Sequence, residues 1–213
     1  MNRLKPFLLF GIPAVVMLSL NSCKKDPLNN LTNEESRIYI TNYDTTANFS
    51  AYSTFSITDS VTVIQDNQLA GRSYDAFDVN AINAMTQQMT ARGYKLVSKS
   101  ASPDLAINIS KVYSSSTVLF NYSDYWDYYG SYYDPYYWGY PGYGYYDPYA
   151  VGAYTVNTGG LEIDVLDLKN AAANGNKLVG IWTGLARGED VFSPSNAANE
   201  ISAMFSQSAY LKK

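Results

Sequence analysis

Residues 121–150 hold thirteen tyrosines, two tryptophans, three prolines and four glycines, and this run limits the fold more than any other feature. It cannot continue as a regular helix. Pro135, Pro141 and Pro148 each remove a backbone donor, and the glycines at 130, 139, 142 and 144 weaken helix further. Nor does it show the two-residue alternation that gives a strand one dry face. The segment therefore reads as a long loop, and any core must be built from chain on either side of it.

The flanking chain carries clear periodicities. Arg37–Tyr43 alternates and is rich in β-branched and aromatic residues, which predicts a strand. Phe49–Ile57 and Ser60–Ile64 predict one or two more. Val79, Ile82, Met85 and Met89 fall at helical spacing, with Asp78 as N-cap and Gly93 just past the end, so a helix is expected over 79–92. Tyr94–Val97 reads as a short strand. Residues 104–113 alternate with Leu105, Ile107, Ile109 and Tyr113 on one side, the pattern of a half-buried strand. Leu161–Val165 and Lys177–Ala186 form a hairpin around the small-residue turn at 170–176. A last helix opens near Ser193–Ser195, with Ala197, Ile201, Met204, Phe205 and Ala209 as its apolar stripe. The expected fold class is α+β: a mostly antiparallel sheet, two helices on one face, and a tyrosine-rich insertion at 121–154 interrupting a domain at 37–208.

The N-terminus carries a separate instruction. Arg3 and Lys5 precede an apolar run from Phe7 to Leu20, too short for the ~20 residues that span a bilayer but suited to a signal peptide. Ser22 is the small residue before a cleavage point, and Cys23 is the only cysteine in the chain. Leu20–Cys23 resembles a bacterial lipobox, which implies a signal peptide at 1–22 and lipid attachment at Cys23. The alternative is an ordinary secretory signal followed by a chance cysteine. Lys24-Lys25-Asp26 resembles a charged export signal for surface lipoproteins, leaving a periplasm-facing and a surface location both open at the outer membrane. Residues 23–36 are polar, without periodicity, and read as a flexible tether.

Composition closes several routes. Removing residues 1–22 takes away Arg3 and Lys5 and leaves 13 basic against 19 acidic residues, a net of −6. Such a domain is not drawn to phosphate backbones, so nucleic acid is not an expected partner. Histidine is absent. The commonest general base, the usual triads and most zinc or copper sites go with it. No cofactor or metal is expected.

Several landmarks recur together: Tyr43-Asp44 followed by Phe49-Ser50, Tyr52 and Thr54-Phe55; Arg92-Gly93-Tyr94; Ser102-Pro103-Asp104-Leu105; and Leu161–Asp167 followed by Ile181-Trp182-Thr183-Gly184. The whole resembles the bacterial lipoprotein family catalogued as domain of unknown function 4136. That resemblance implies a small envelope-located α+β domain and carries over no catalytic residues.

Three sets of residues are candidates for chemistry. In the tyrosine segment, Trp126, Tyr132, Tyr133, Tyr136, Tyr137, Trp138, Tyr145 and Tyr146 could form a surface that stacks on sugars or packs on another envelope protein. The competing reading is a fluctuating low-complexity insertion. No lysine or arginine lies between Lys111 and Lys169, so a cation–π contact to these rings is expected from a partner. Glu162 and Asp164 share a strand face at roughly 7 Å, compatible with paired-carboxylate glycoside hydrolysis. The simpler expectation is a solvated outer face, with Asp167 starting the turn and Trp182 in the core behind it. Asp124, Asp127, Asp134 and Asp147 offer oxygen ligands for calcium but lack the spacing of a calcium loop, and Asp-Pro is a turn former. The leading expectation is a lipid-anchored envelope protein with a non-catalytic structural or binding role. A carbohydrate- or peptidoglycan-binding module comes second and a glycoside hydrolase third.

Overall fold

The computed structural model describes residues 31–66, 68–113, 117–121, 135–146, 151–155 and 159–213. Cys23, Trp126, Tyr132, Tyr133 and the aspartates at 124, 127, 134 and 147 lie outside the described residues. In chain order the elements are β1 (Ile38–Tyr43), β2 (Thr54–Ile57), β3 (Val61–Gln65), β4 (Gln68–Ser73), α1 (Ala76–Ala91), β5 (Lys95–Leu96), β6 (Leu105–Tyr113), β7 (Thr117–Asn121), β8 (Gly144–Tyr146), β9 (Val151–Thr155), β10 (Gly160–Asp167), β11 (Lys177–Arg187) and α2 (Ala197–Ser206). No helix among the described residues is long and apolar enough to cross a membrane.

Nine of these strands form one sheet in the order β1-β11-β10-β6-β2-β5; β3 also pairs with β6, β4 with β3 and β8 with β11. The fold is α+β, as the alternation predicts. The sheet, however, is mixed. β1, β11, β10 and β6 run antiparallel, while β2 and β3 lie parallel to β6, and β8 parallel to β11. The chain between β3 and β6 passes through α1, and a crossover of that kind returns the next strand parallel. β7 and β9 pair as a separate two-stranded ribbon. The expected strand over Phe49–Ile57 is confined to β2, because Phe49–Ala51 turns as 3-10 helix with Phe49 buried.

Helix α1 starts one turn earlier than its apolar spacing suggests. Asp75, not Asp78, is the N-cap: its side chain accepts from the Asp78 N–H, and the Asp78 carboxylate accepts from the Asp75 N–H. Two orphan donors are thereby satisfied reciprocally. Gly93 follows the helix at φ +95, where a side chain would be strained. α2 opens at Ala197 and buries Ala197, Ile201, Met204 and Phe205; Ala209 lies past its end and is exposed. Arg92 joins the two helices. Its Nη1 donates to Ser208 O at 2.7 Å and Leu211 O at 3.1 Å, and its Nη2 to Phe205 O at 2.6 Å, which ties the end of α1 to the last turn of α2 and the chain just after it.

Both helices cover one face of the sheet. Phe55, Ile107, Ile109, Ile163, Val165 and Trp182 meet Met85, Met89, Met204 and Phe205 in the main core. Trp182 is fully buried, as expected, and its Nε1 donates to Ser208 Oγ at 2.9 Å. Gly184 sits beside it because a Cβ there would meet the Trp182 ring at 2.5 Å and Met204 Sδ at 2.8 Å.

The other face departs from expectation. β6 is buried on both sides from Leu105 to Val112, not half-buried. Register places Asn108 opposite Asp164, Ser110 opposite Glu162 and Thr183 opposite Asp164, all on the face away from the helices. Glu162 and Asp164 do share that face. It is not solvated, since Glu162 is 4% and Asp164 0% exposed.

Candidate functional site: the outer face and the tyrosine segment

The described part of the tyrosine segment is built onto this outer face. Pro135–Trp138 forms a 3-10 turn, closed by the Tyr140 N–H donating to Pro135 O at 2.8 Å. β8 then adds to the edge of β11, with the Gly144 N–H donating to Asn176 O at 2.8 Å. Residues 135–146 are therefore ordered as a turn and a short strand where a loop was expected. Pro135 starts the turn, a position that needs no backbone donor. The run of glycines lets the chain then bend onto the sheet, with Gly139 and Gly142 both at positive φ.

Trp138 is the anchor. It is buried in a small second core with Ala106, Leu166, Leu168, Ala171 and Leu178, and Tyr137, Tyr140, Tyr143 and Tyr145 pack around it. Ordinary alternation along β10 creates this site: Val165 joins Leu161 and Ile163 in the main core, and Leu166, on the outer side with Glu162 and Asp164, joins the Trp138 cluster. The register shift between β10 and β11 leaves Ile181 as the extra residue on β11, where Ile181 and Trp182 both enter the main core. Tyr137 meets the Trp138 ring edge-on at 4.9 Å, and Tyr140 meets Tyr143 at 5.3 Å. The Tyr140 hydroxyl donates to Leu168 O at 3.0 Å, and burial, with Tyr143 and Asp167 nearby, pushes its phenol above the ordinary range.

The cations come from the chain itself rather than from a partner. Lys99 Nζ stands 3.8 Å from the Tyr137 ring centroid, Arg72 Cζ 5.0 Å from the same ring, and Lys177 Nζ 5.6 Å from Tyr146. Among the candidate surface residues, Trp138 is interior, and Tyr137 and Tyr145 are half-buried. Tyr136 (72% exposed) and Tyr146 (43%) face solvent.

Two clefts flank this arrangement. One, of about 560 Å³, lies between Tyr137 and Lys99 on one side and Ile57, Ile82, Leu96 and Val97 on the other, with Ser56, Thr58, Asp59 and Ser98 completing the lining. Its far wall is the β2–β5 edge, so the docked tyrosine segment supplies what would otherwise be a missing side. The second, of about 410 Å³, sits at the sheet end over Tyr52, Asp167, Lys169 and Asn170. There the Tyr52 hydroxyl donates to Asp167 Oδ2 at 2.9 Å, and Asn170 donates its Nδ2 to the same oxygen at 2.8 Å and its N–H to Oδ1 at 3.0 Å. Burial first, and the Asp167 carboxylate second, raise the Tyr52 phenol far above its usual value. That makes Tyr52 a fixed donor and not a base. Asp167 is readable from the sequence as a turn residue and Tyr52 as a landmark, but the two lie 115 residues apart in the chain and no local signal pairs them.

The landmark motifs act as joints. Asp104 Oδ2 accepts from the Ser53 N–H at 2.6 Å while the Asp104 N–H donates to Thr54 Oγ1 at 2.9 Å, fixing β2 against the start of β6. Tyr94 donates its hydroxyl to Phe49 O at 3.0 Å, and burial pushes that phenol up to about 12. The family model described as Domain of unknown function (DUF4136) matches residues 40–208. The chain belongs to this family. The crystal structure of a DUF4136 family protein from Bacteroides thetaiotaomicron is 32% identical over 83% of this chain and 98% of that one, with a TM-score of 0.68. Two other solved structures are more distant. A PelC dodecamer from Paraburkholderia phytofirmans matches 83% of this chain and 99% of its own at 11% identity and TM-score 0.39. A PDZ domain protein from Parabacteroides distasonis matches 84% and 37% at 11% identity and TM-score 0.43. Neither of these two carries an argument about this DUF4136 member. No curated protein matches the chain.

Proposed function

We propose that this DUF4136 member is a lipid-anchored cell-envelope protein, held to the outer membrane through Cys23, whose domain has a non-catalytic binding or structural role. The observation that carries the binding role is the mounting of the tyrosine segment: Trp138 is buried as an anchor while Tyr136 and Tyr146 stay exposed. A ring held rigidly before contact loses little entropy on binding, which is what a stacking surface for sugars or a docking surface for another envelope protein requires. The anchor rests on the sequence of residues 1–23.

Each half has its own test. Cys23→Ser should move the protein from the membrane to the soluble fraction in detergent phase partitioning; retention in the membrane would discard the lipid anchor. For the binding role, peptidoglycan and isolated envelope glycans serve as probes in pull-downs. Tyr136→Ala combined with Tyr146→Ala should weaken retention by about tenfold, given ~0.5–1.5 kcal/mol per aromatic contact. Equal retention of wild type and variant would remove these rings from the binding surface. Retention of neither, with an intact membrane anchor, would leave a protein partner or a structural role.

A further inference from the structure

The strand β1 forms one edge of the sheet, and its hydrogen-bonding phase can be read directly. The Asp44 N–H donates to Ile181 O at 2.9 Å, two residues beyond the Asn42–Thr183 pair. Antiparallel pairs alternate, so Ile38, Ile40 and Asn42 direct their backbone groups to β11, and Tyr39, Thr41 and Tyr43 direct theirs outward. Among the described residues the outward groups meet only Gln207, whose Nε2 lies 3.5 Å from Tyr39 O, a long contact. Edges of natural sheets are guarded by lysine, proline, a bulge or shortness. The far side of this sheet follows that rule: β5 has two residues, and β4 carries a bulge and Arg72. β1 has none of these. Its six residues, Ile-Tyr-Ile-Thr-Asn-Tyr, bear no charge, and Ile38 and Ile40 are 44% and 38% exposed.

We infer that β1 is a self-association surface, on which a second copy of this chain pairs antiparallel about a two-fold axis at Tyr39. The pattern is self-complementary. Ile38 and Ile40 flank Tyr39 symmetrically, so the axis sets each Ile38 opposite Ile40 of the second copy. Those are non-hydrogen-bonded positions, where facing side chains come closest. The outward N–H and C=O of Tyr39 pair with those of the second Tyr39 in place of Gln207. A charged peptide would find no complement on this strand, whereas two chains of net charge −4 meet there at a neutral stripe. A six-residue strand pair falls well short of the ~1,200 Å² that stable interfaces bury, so the dimer is weak and reversible in solution. Confinement on a membrane would populate it by raising effective concentration, but the pairing itself does not depend on the anchor.

The test uses the full chain carrying Cys23→Ser, so that its outcome is independent of lipidation. Sedimentation velocity from micromolar to millimolar concentration should show a reversible rise from monomer toward dimer. Ile40→Lys should weaken this association by about tenfold, and Tyr74→Lys, at an exposed site outside β1, should leave it unchanged. Under mild oxidation Tyr39→Cys should form an interchain disulfide, since directly opposed residues stand about 5.5 Å apart, and Thr41→Cys should not. A monomer at every concentration would overturn the inference. So would association indifferent to Ile40→Lys, or cross-linking through Thr41→Cys in preference to Tyr39→Cys. Should Tyr39→Cys fail to fold by circular dichroism, the Ile40→Lys result decides.

Discussion

On the helix side of the sheet, β6, β10 and β11 present Ile107, Ile163 and Trp182 to Met85, Met204 and Phe205; on the outer side the same strands present Asn108, Ser110, Glu162, Asp164 and Thr183. Both sides are buried. The apolar side closes against helices whose own stripes are apolar, and its burial is favourable without further conditions. The polar side is different in kind, because buried polar groups cost free energy unless they are hydrogen-bonded. Among the described residues its apolar cover lies at one end, where Trp138 seats the tyrosine segment on Leu166, Leu168 and Leu178. One face is thus closed by regular helices, and part of the other by an irregular segment pinned through a single large side chain.

That contrast is sharpest in two tryptophans. Trp182→Ala should cost about 3–5 kcal/mol of global stability in chemical denaturation, as for large core truncations, and Ser208 Oγ loses the nearer of its two donors, keeping only the Tyr210 hydroxyl. Trp138→Ala should cost less, about 1–3 kcal/mol, because its neighbours are a small cluster that partly collapses. It should also abolish amide protection across residues 135–146 while sparing β6 and β10. Equal costs would mean that the outer cluster is as much part of the cooperative core as the helix side.

The helix side is not wholly apolar: Asp78 of α1 and Lys111 of β6 form a buried ion pair there at 2.7 Å, and α2 adds a buried carboxyl. Glu200 on α2 is fully buried, with Arg37 Nε 3.7 Å from its carboxylate. Burial pushes its carboxyl up to about 8, and Arg37 offsets only part of this. The folded state therefore holds a proton that the unfolded chain releases near its ordinary value of 4.5. Stability from this group is complete in acid and falls as pH rises from about 5 to 8. Glu200→Gln should flatten that decline, raising stability at pH 8 relative to wild type by on the order of 2 kcal/mol. A wild-type melting temperature that stays level or climbs over this interval, with no difference in the variant, would contradict it. The smallest effect belongs to the outer face: Lys99→Ala removes the nearer of the two cations over Tyr137 and should cost about 0.5–1 kcal/mol, measurable against Trp138→Ala in a double-mutant cycle.

Much of the fold was legible because local pattern and tertiary role agree. The alternation at 104–113, the 161–186 hairpin and both apolar helix stripes specify the right elements, although α1 starts a turn early and Ala209 falls past the end of α2. β4 was missed because Gln68–Ser73 lacks β-branched residues and bends at Gly71, which has φ +132. Parallel docking of β2 and β3 onto β6 leaves no trace in either strand. Glu162 and Asp164 show why alternation misleads: polar residues at every second position read as a wet face, and whether that face is covered is decided by chain far away. Trp138 was hidden for a related reason, since it sits among prolines and glycines where no period marks an inward side. The cations over Tyr137 and Tyr146 could not be read from a segment that contains none, because Arg72, Lys99 and Lys177 arrive from three other places in the chain.

Hydrogen exchange on the full chain measures at single amides whether the tyrosine segment is built onto the outer face. The Tyr140 and Gly144 amides, hydrogen-bonded to Pro135 O and Asn176 O at 2.8 Å each, should exchange orders of magnitude more slowly than an unstructured chain. In Trp138→Ala both should lose that protection together. Exchange of these two amides at unstructured rates in the wild-type protein would contradict the docked segment and, with it, the aromatic surface it supports.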